Sequence, residues 1–503
     1  MDCGKIIVEY KGGITMDLTW NIIRILIIAI VLINEIAALI TVFREKRDIA
    51  ATWAWLLVLT LIPVLGFVAY AFLGRKPTRQ RMERIQTATQ LELSEAIEEQ
   101  KKQFANMMKP KKATKMTYWR TVQLFQNLDD AFFSRHNHVE IFDDGNQLFE
   151  KLFQDIEMAK KTINIEFYTI YNDQIGNQLR TLLEQKAAEG VEVRVLYDSW
   201  GSRGVQPSFY NQLRANGGAA AQFLMTRSNW FDFRINYRDH RKIVTIDGKI
   251  GYVGGFNVGD QYLGRVAKFG YWRDTHLRLI GGSVYSLQQR FIRDWNATMQ
   301  GTPNQILHYR RFFPPIKVTN ATTPVQIVSS GPDNQLETIK LGYLRLINAA
   351  QDHIWIQTPY LIPDDSMIDA LKVAAHSGID VRIMIPCKPD HPFVYRATQY
   401  YARMLANEGV TIYYYENGFM HAKTVMIDGK MASVGSANLD YRSFKLNFEI
   451  NSFIYDPQIT DRLEQIFMND IRHSKVVTPE MFTQQSLWLR FKQTASRLLS
   501  PIL

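Results

Sequence analysis

His240-Arg-Lys242-Ile-Val-Thr-Ile-Asp247-Gly248 returns later in the chain as His421-Ala-Lys423-Thr-Val-Met-Ile-Asp428-Gly429. One short motif of this kind carries little weight, but two copies in register with matching flanks mark a duplication. Each copy is rich in β-branched residues and ends in Asp-Gly-Lys, the pattern of a strand entering a tight hairpin turn. The return strands read Ile250-Gly-Tyr-Val253-Gly-Gly255-Phe-Asn257 and Met431-Ala-Ser-Val434-Gly-Ser436-Ala-Asn438. With Asp-Gly at the tip, this register sets His240 near Gly255 and His421 near Ser436. Residues two apart share a strand face, so each His points the same way as its Lys, and each Asp points the other way. Asp247 and Asp428 thus belong to the six-residue catalytic signature in a turn-shaping role.

The flanks repeat as well. Ala159-Lys-Lys-Thr-Ile163-Asn-Ile165-Glu166 precedes the first copy and Ala350-Gln-Asp-His-Ile354-Trp-Ile356-Gln357 the second. Each is followed by a helical stretch and then by Gly190-Val-Glu-Val-Arg-Val or Gly378-Ile-Asp-Val-Arg-Ile. Strand, helix, strand and catalytic hairpin therefore occur twice, which predicts an α/β duplication. Downstream, each half offers one acid, Asp274 in Tyr271-Trp-Arg-Asp274-Thr-His276 and Glu449 in Asn447-Phe-Glu449-Ile. A carboxylate on one imidazole nitrogen fixes the tautomer and stabilises charge on the ring, so these two are the expected partners of the histidines.

The N-terminal region is of another kind. Residues 51–73 carry no charge and have Trp53, Trp55 and Tyr70 towards the ends, and residues 18–43 are also apolar apart from Arg24, Asn34 and Glu35. Both are long enough to span a bilayer, which predicts a membrane hairpin over residues 1–75. Pro63 and Gly66 predict a local bend in the second span. A charged helical stalk is expected over 76–131, the first catalytic half over 132–300, a Pro-, Asn- and Thr-rich linker over 301–324, the second half over 325–475 and a basic amphipathic tail over 476–503. The linker's Phe312-Phe-Pro-Pro is a candidate membrane contact. Arg75, Lys76, Arg79, Arg81 and Arg84 directly follow the second span, against three basic residues in the turn, which favours a cytoplasmic catalytic body. The net charge of +10 suits an anionic surface, lipid or nucleic acid, and the spans select lipid. Cys3 and Cys387 offer no disulfide framework.

The paired motifs resemble those of the phospholipase D superfamily, and the resemblance covers nearly all of the chain beyond Phe132. Within that superfamily the chain is similar to the bacterial cardiolipin synthases. The likeness rests on the pattern of the second span, on Gly254-Gly-Phe-Asn-Val-Gly-Asp260, on Thr358-Pro-Tyr360-Leu-Ile-Pro363-Asp and on the terminal Leu499-Ser-Pro-Ile-Leu503. It implies two phospholipase D-like domains related by a pseudo-twofold axis and meeting at one site in a bacterial membrane. It also implies a ping-pong transfer in which His240 attacks phosphorus and His421 acts as acid and base. Two phosphatidylglycerols would give cardiolipin and glycerol, with no nucleic acid partner.

Lys242, Lys423 and the amides of Asn257 and Asn438 suit the negative charge of a phosphorane. Gly255 stands where the second copy has Ser436, so any hydroxyl contribution is one-sided. No cofactor and no metal are expected, because His and Asp on opposite strand faces make a poor ligand pair and a lysine repels a cation. A membrane-bound hydrolase, a transferase with another acceptor, a tethered nuclease and a non-catalytic scaffold are the competing readings.

Overall fold

The computed structural model describes residues 20–37, 40, 49–62, 65–70, 118–129, 131–224, 236–315, 321–334 and 336–500. They divide into an N-terminal unit, to which Met1–Pro77 belong, and a catalytic unit holding nearly all the rest.

In the N-terminal unit the helix Trp20–Ala37 is long and apolar enough to cross a membrane. The second apolar segment is shorter in each piece: a helix over Ile49–Leu61, then another over Leu65–Ala69. Pro63, one of the two residues expected to bend this span, and Val64 lie outside the described residues. On either side of them, Ile62 N donates to Val58 O (3.1 Å) and Gly66 N to Ile62 O (2.6 Å). Two of the polar residues that interrupt the first span, Asn34 and Glu35, have partners on the second: Asn34 Nδ2 donates to Leu59 O (3.0 Å), and Thr60 Oγ1 donates to the Glu35 carboxylate (3.1 Å). Such bonds satisfy polar groups where no water is at hand. The turn at 44–48 and residues 71–117, most of the expected stalk, lie outside the described residues.

The catalytic unit contains the duplication as two sheets. The first has the order Asn137–Phe142, His276–Gly281, Ile250–Gly254, Lys242–Ile246, Thr162–Phe167, Glu192–Tyr197, Ala219–Gln222. In the second, Val325–Ser330, Glu449–Ile454, Met431–Gly435, Thr424–Ile427, His353–Gln357, Asp380–Pro386 and Thr411–Tyr415 repeat that order, with one further strand at each edge. Ile243, Val253 and Leu277 from one sheet share a buried cluster with Met426, Val434 and Ile450 from the other, so the two inner faces make a common core. Their strands are buried on both faces and read as near-continuous apolar runs.

The structure corrects several expectations. Each half has one more strand before its catalytic hairpin, Ala219–Gln222 and Thr411–Tyr415. The hairpin register is one residue off: Ile246 pairs with Ile250 and Ile427 with Met431. Asp247 and Gly248 have φ of 52° and 63°, Asp428 and Gly429 53° and 62°, and each turn closes through Lys249 N or Lys430 N to the preceding isoleucine carbonyl. The lysine then falls between turn and strand, which moves His240 and His421 off Gly255 and Ser436 by one position. The helix Trp119–Asp129, at the end of the expected stalk, buries Val122 and Phe125 in the core of the second half, and Phe133–Ser134 is that sheet's edge strand. In the expected linker, Tyr309, Phe312 and Phe313 are buried with Trp295 and Phe448, so this aromatic run is core and makes no membrane contact.

Candidate active site

Two short pairings between the halves build the site. Trp272–Arg273 of the first half runs parallel to Phe419–Met420 of the second, and Asp239 forms a bridge with Phe448. Each pairing sets a motif histidine against the opposite half's acid: His421 N donates to Arg273 O (2.7 Å), one residue before Asp274, and His240 N donates to Phe448 O (2.9 Å), one residue before Glu449.

The side chains follow the backbone. His240 Nδ1 lies 2.9 Å from both carboxylate oxygens of Glu449, and His421 Nδ1 lies 2.5 Å from Asp274 Oδ2. The acids proposed from sequence are therefore the imidazole partners, but exchanged between halves. Glu449 is fixed further by Ser436 Oγ (2.5 Å), Ser443 Oγ (2.8 Å) and Asn447 Nδ2 (3.2 Å), and Asp274 by the Thr275 amide (2.8 Å). The Gly255/Ser436 difference now has a reason. A Cβ on Gly255 would come within 1.9 Å of Asp274 Oδ1, so the shorter acid needs the space that Ser436 fills beside Glu449.

Lys242 and Lys423 are buried on the same strand face as their histidines. Lys242 Nζ donates to His240 O (2.6 Å) and Lys423 Nζ to His421 O (2.5 Å). Lys423 Nζ is also 2.8 Å from His421 Nδ1, but that nitrogen carries the proton it gives to an ionised Asp274, so the lysine's bond goes to the carbonyl.

Burial pushes the His240 ring down from 6.5 to about 4 against the pull of Glu449, and burial followed by Lys423 does the same to His421, also to about 4. Burial likewise lowers Lys242 to about 7 and Lys423 to about 8. For the acids, burial opposes the charge, but Lys423 and His421 outweigh it at Asp274, and His240 and Lys242 at Glu449, so both are held below the usual carboxylate range. Lys423 acts on His240 and Lys242 on His421, which makes this one electrostatic site. At neutral pH it presents two neutral imidazoles whose Nδ1–H is held by a carboxylate, leaving Nε2 with its lone pair.

Asp247 and Asp428 stand apart from the imidazoles, at the hairpin tips. Asp247 accepts the amides of Lys160 (2.9 Å), Lys161 (2.7 Å) and Thr162 (2.9 Å). Asp428 does the same for Gln351 (3.0 Å), Asp352 (2.9 Å) and His353 (3.0 Å). Each pins the start of the neighbouring strand. The Asn257 amide accepts from Thr169 N (3.2 Å) and donates to Tyr262 Oη (3.3 Å), while Asn438 Nδ2 donates to Asp440 (3.1 Å).

Other contributors escape a reading of the motifs. Tyr168 packs edge-on to the His240 ring and Trp272 against His421, each with ring centroids 5.0 Å apart. Arg241, the middle residue of the first motif, is fully buried and donates from Nε to Glu449 O (3.3 Å) and from Nη1 to Asp294 (2.9 Å). The sequence signal for Arg241 is a charge that sits between the motif's His240 and Lys242, just before an apolar run.

This geometry has relatives. A cardiolipin synthase of Listeria innocua is 46% identical over 493 residues, covering 96% of this chain and 100% of its own length. The chain belongs to the cardiolipin synthase family. A cardiolipin synthase of Staphylococcus aureus is 44% identical over 483 residues, covering 96% of this chain and 97% of its own. The family model described as cardiolipin synthase, PLD-like domain matches residues 152–295 and 343–471, one segment in each half, and a phospholipase D-nuclease N-terminal model matches 36–75. Among solved structures, the phosphatidylserine synthase of Haemophilus influenzae shares the fold, with a TM-score of 0.58 at 16% identity, over 76% of this chain and all of its own.

Proposed function

We propose that this member of the cardiolipin synthase family joins two phosphatidylglycerols into cardiolipin and releases glycerol. The observation that carries the reading is the pair of carboxylate-held, buried histidines flanked by two buried lysines in one site. Nε2 of His240 attacks the phosphorus of the first lipid and the bond to its terminal glycerol breaks. His421 gives a proton to that glycerol oxygen. The headgroup's negative charge offsets burial and the lysines, raising the His421 pKa enough for its Nε2 to hold that proton. The terminal hydroxyl of a second phosphatidylglycerol then loses its proton to His421 and attacks phosphorus, and the bond to His240 breaks. The lysines, charged once an anion is bound, stabilise the phosphorane, with the amides of Asn257 and Asn438 in support. Asp247 and Asp428 serve by holding the hairpins that carry the histidines.

The protein sits in the membrane through both N-terminal apolar segments, and the basic residues after the second support a cytoplasmic catalytic unit. The test is the purified full chain in phosphatidylglycerol vesicles with a chelator present. Cardiolipin and glycerol should form in equal amounts. Phosphatidic acid as the main product, or a requirement for a divalent ion, contradicts the reading.

A further inference from the structure

The helix Leu487–Leu498 is amphipathic with its faces reversed. Its side towards the protein carries Gln493, fully buried, and Ser496, 4% exposed. Its outer side carries Leu487 (82% exposed), Trp488 (63%), Phe491 (61%) and Leu498 (75%). At 100° per residue these four fall within one arc of the helix, so the outward apolar surface is continuous. A helix resting on a soluble domain turns its apolar stripe inwards, and this one turns it out.

The polar face has a definite seat. Gln493 meets Gln399 (3.5 Å), Arg497 Nη1 donates to Tyr400 Oη (3.0 Å) and Ser500 meets Tyr401 (3.3 Å), all on the helix Pro392–Ala406. The reversed helix is thus fixed in orientation. Its support begins two residues after Asp390, which accepts from Tyr360 Oη and whose charge acts on the catalytic Lys423. Phe393, in the first turn of that support, is 61% exposed.

The charges around the apolar arc select the occupant. Arg490, Lys492 and Arg497 border it, Lys492 Nζ lies 5.0 Å from the Trp488 ring centroid, and residues 487–503 contain no acid. A second copy docked by this face would set these cations against their own kind. An anionic bilayer offers acyl chains to the arc and phosphates to the border.

We propose that Leu487–Leu498 is a membrane-docking helix of the catalytic unit. It lies flat in the headgroup region of an anionic bilayer, with Leu487, Trp488, Phe491 and Leu498 immersed. This goes beyond the reaction assigned above and does not depend on it.

The test uses the full chain with Cys3→Ser and Cys387→Ser, carrying a bimane on Phe491→Cys or, in a second protein, on Leu498→Cys. Both positions are exposed, so labelling leaves the core intact. The proteins are reconstituted into phosphatidylcholine vesicles with and without phosphatidylglycerol. Expected are quenching by brominated acyl chains at both positions, protection from aqueous iodide, and loss of both when Lys492→Glu is added or phosphatidylglycerol is omitted. Iodide access in phosphatidylglycerol vesicles overturns the proposal. So does protection that rises with protein density without acyl-chain quenching, which marks a second copy. Neither readout requires turnover.

Discussion

His240 is held by Glu449, 2.9 Å away and more than two hundred residues on in the chain, and not by the acid of its own half. His421 is held by Asp274 of the first half in the same way. Neither half holds both a motif histidine and the carboxylate that meets it, so the duplication brings the two halves together at one site.

Removing the carboxylate charge should therefore act on the opposite half's histidine. Glu449→Gln and Asp274→Asn keep the side-chain shape but lose the acceptor that fixes Nδ1–H. Each is expected to lower the turnover of cardiolipin synthesis by roughly 10²–10⁴-fold with little change in thermal unfolding. Ser436→Ala, which removes one of several bonds to Glu449, should cost about tenfold or less.

Gly255 and Ser436 should respond in opposite ways to alanine. Gly255→Ala places a methyl where Asp274 Oδ1 now lies and displaces the acid from His421, so activity should be lost almost entirely. Ser436→Ala removes an oxygen and adds no clash. Comparable activities for the two variants would show that the contact at Gly255 does not position Asp274.

Asp247→Ala should damage stability and spare the chemistry. The side chain holds three amides at the start of one strand and touches no reacting group. The loss should be about 1–3 kcal/mol in denaturant unfolding, with turnover per folded molecule kept within severalfold of the parent.

The pH dependence has a definite sign. Folding lowers both histidines from 6.5 to about 4, so the unfolded chain takes up protons first as pH falls. Their contribution to stability is complete above pH 6.5 and is lost on acidification towards 4, by at most about 1.4 kcal/mol per pH unit per group. Asp274 and Glu449, held low in the folded state, add loss in the same direction. The melting temperature should fall between pH 6.5 and 4.5, and His421→Gln should flatten that fall. A variant as acid-sensitive as the parent would rule out the buried neutral imidazole.

Much of this site was legible in the sequence because its chemistry rests on residue types at fixed strand spacing. The shared face of His240 and Lys242 and the turn role of Asp247 follow from period-two geometry, and the choice of Asp274 and Glu449 from each half's carrying an acid downstream of its motif. The exchange of acids was not legible, because it depends on which half's strand end pairs with which, a tertiary contact that leaves no local pattern. The register slipped by one because Lys249 and Lys430 fall between turn and strand, which Asp-Gly alone does not announce. Ala219–Gln222 lacks the branched residues that mark a strand, and it pairs because Glu192–Tyr197 offers it an edge. Phe312 and Phe313, in a stretch that reads as linker, are core because the helix Ser283–Thr298 needs its Trp295 face covered.

The most direct test of the composite site is to trap its intermediate. The His421→Ala protein retains the nucleophile but lacks both the acid that assists glycerol's departure and the base that activates the acceptor, so the adduct should form slowly and then persist. Incubated with phosphatidylglycerol, quenched and digested, it should yield a phosphatidyl adduct on the peptide containing His240, while His240→Ala should yield none. An adduct on another residue, or cardiolipin formed by the His240→Ala protein, would contradict the account.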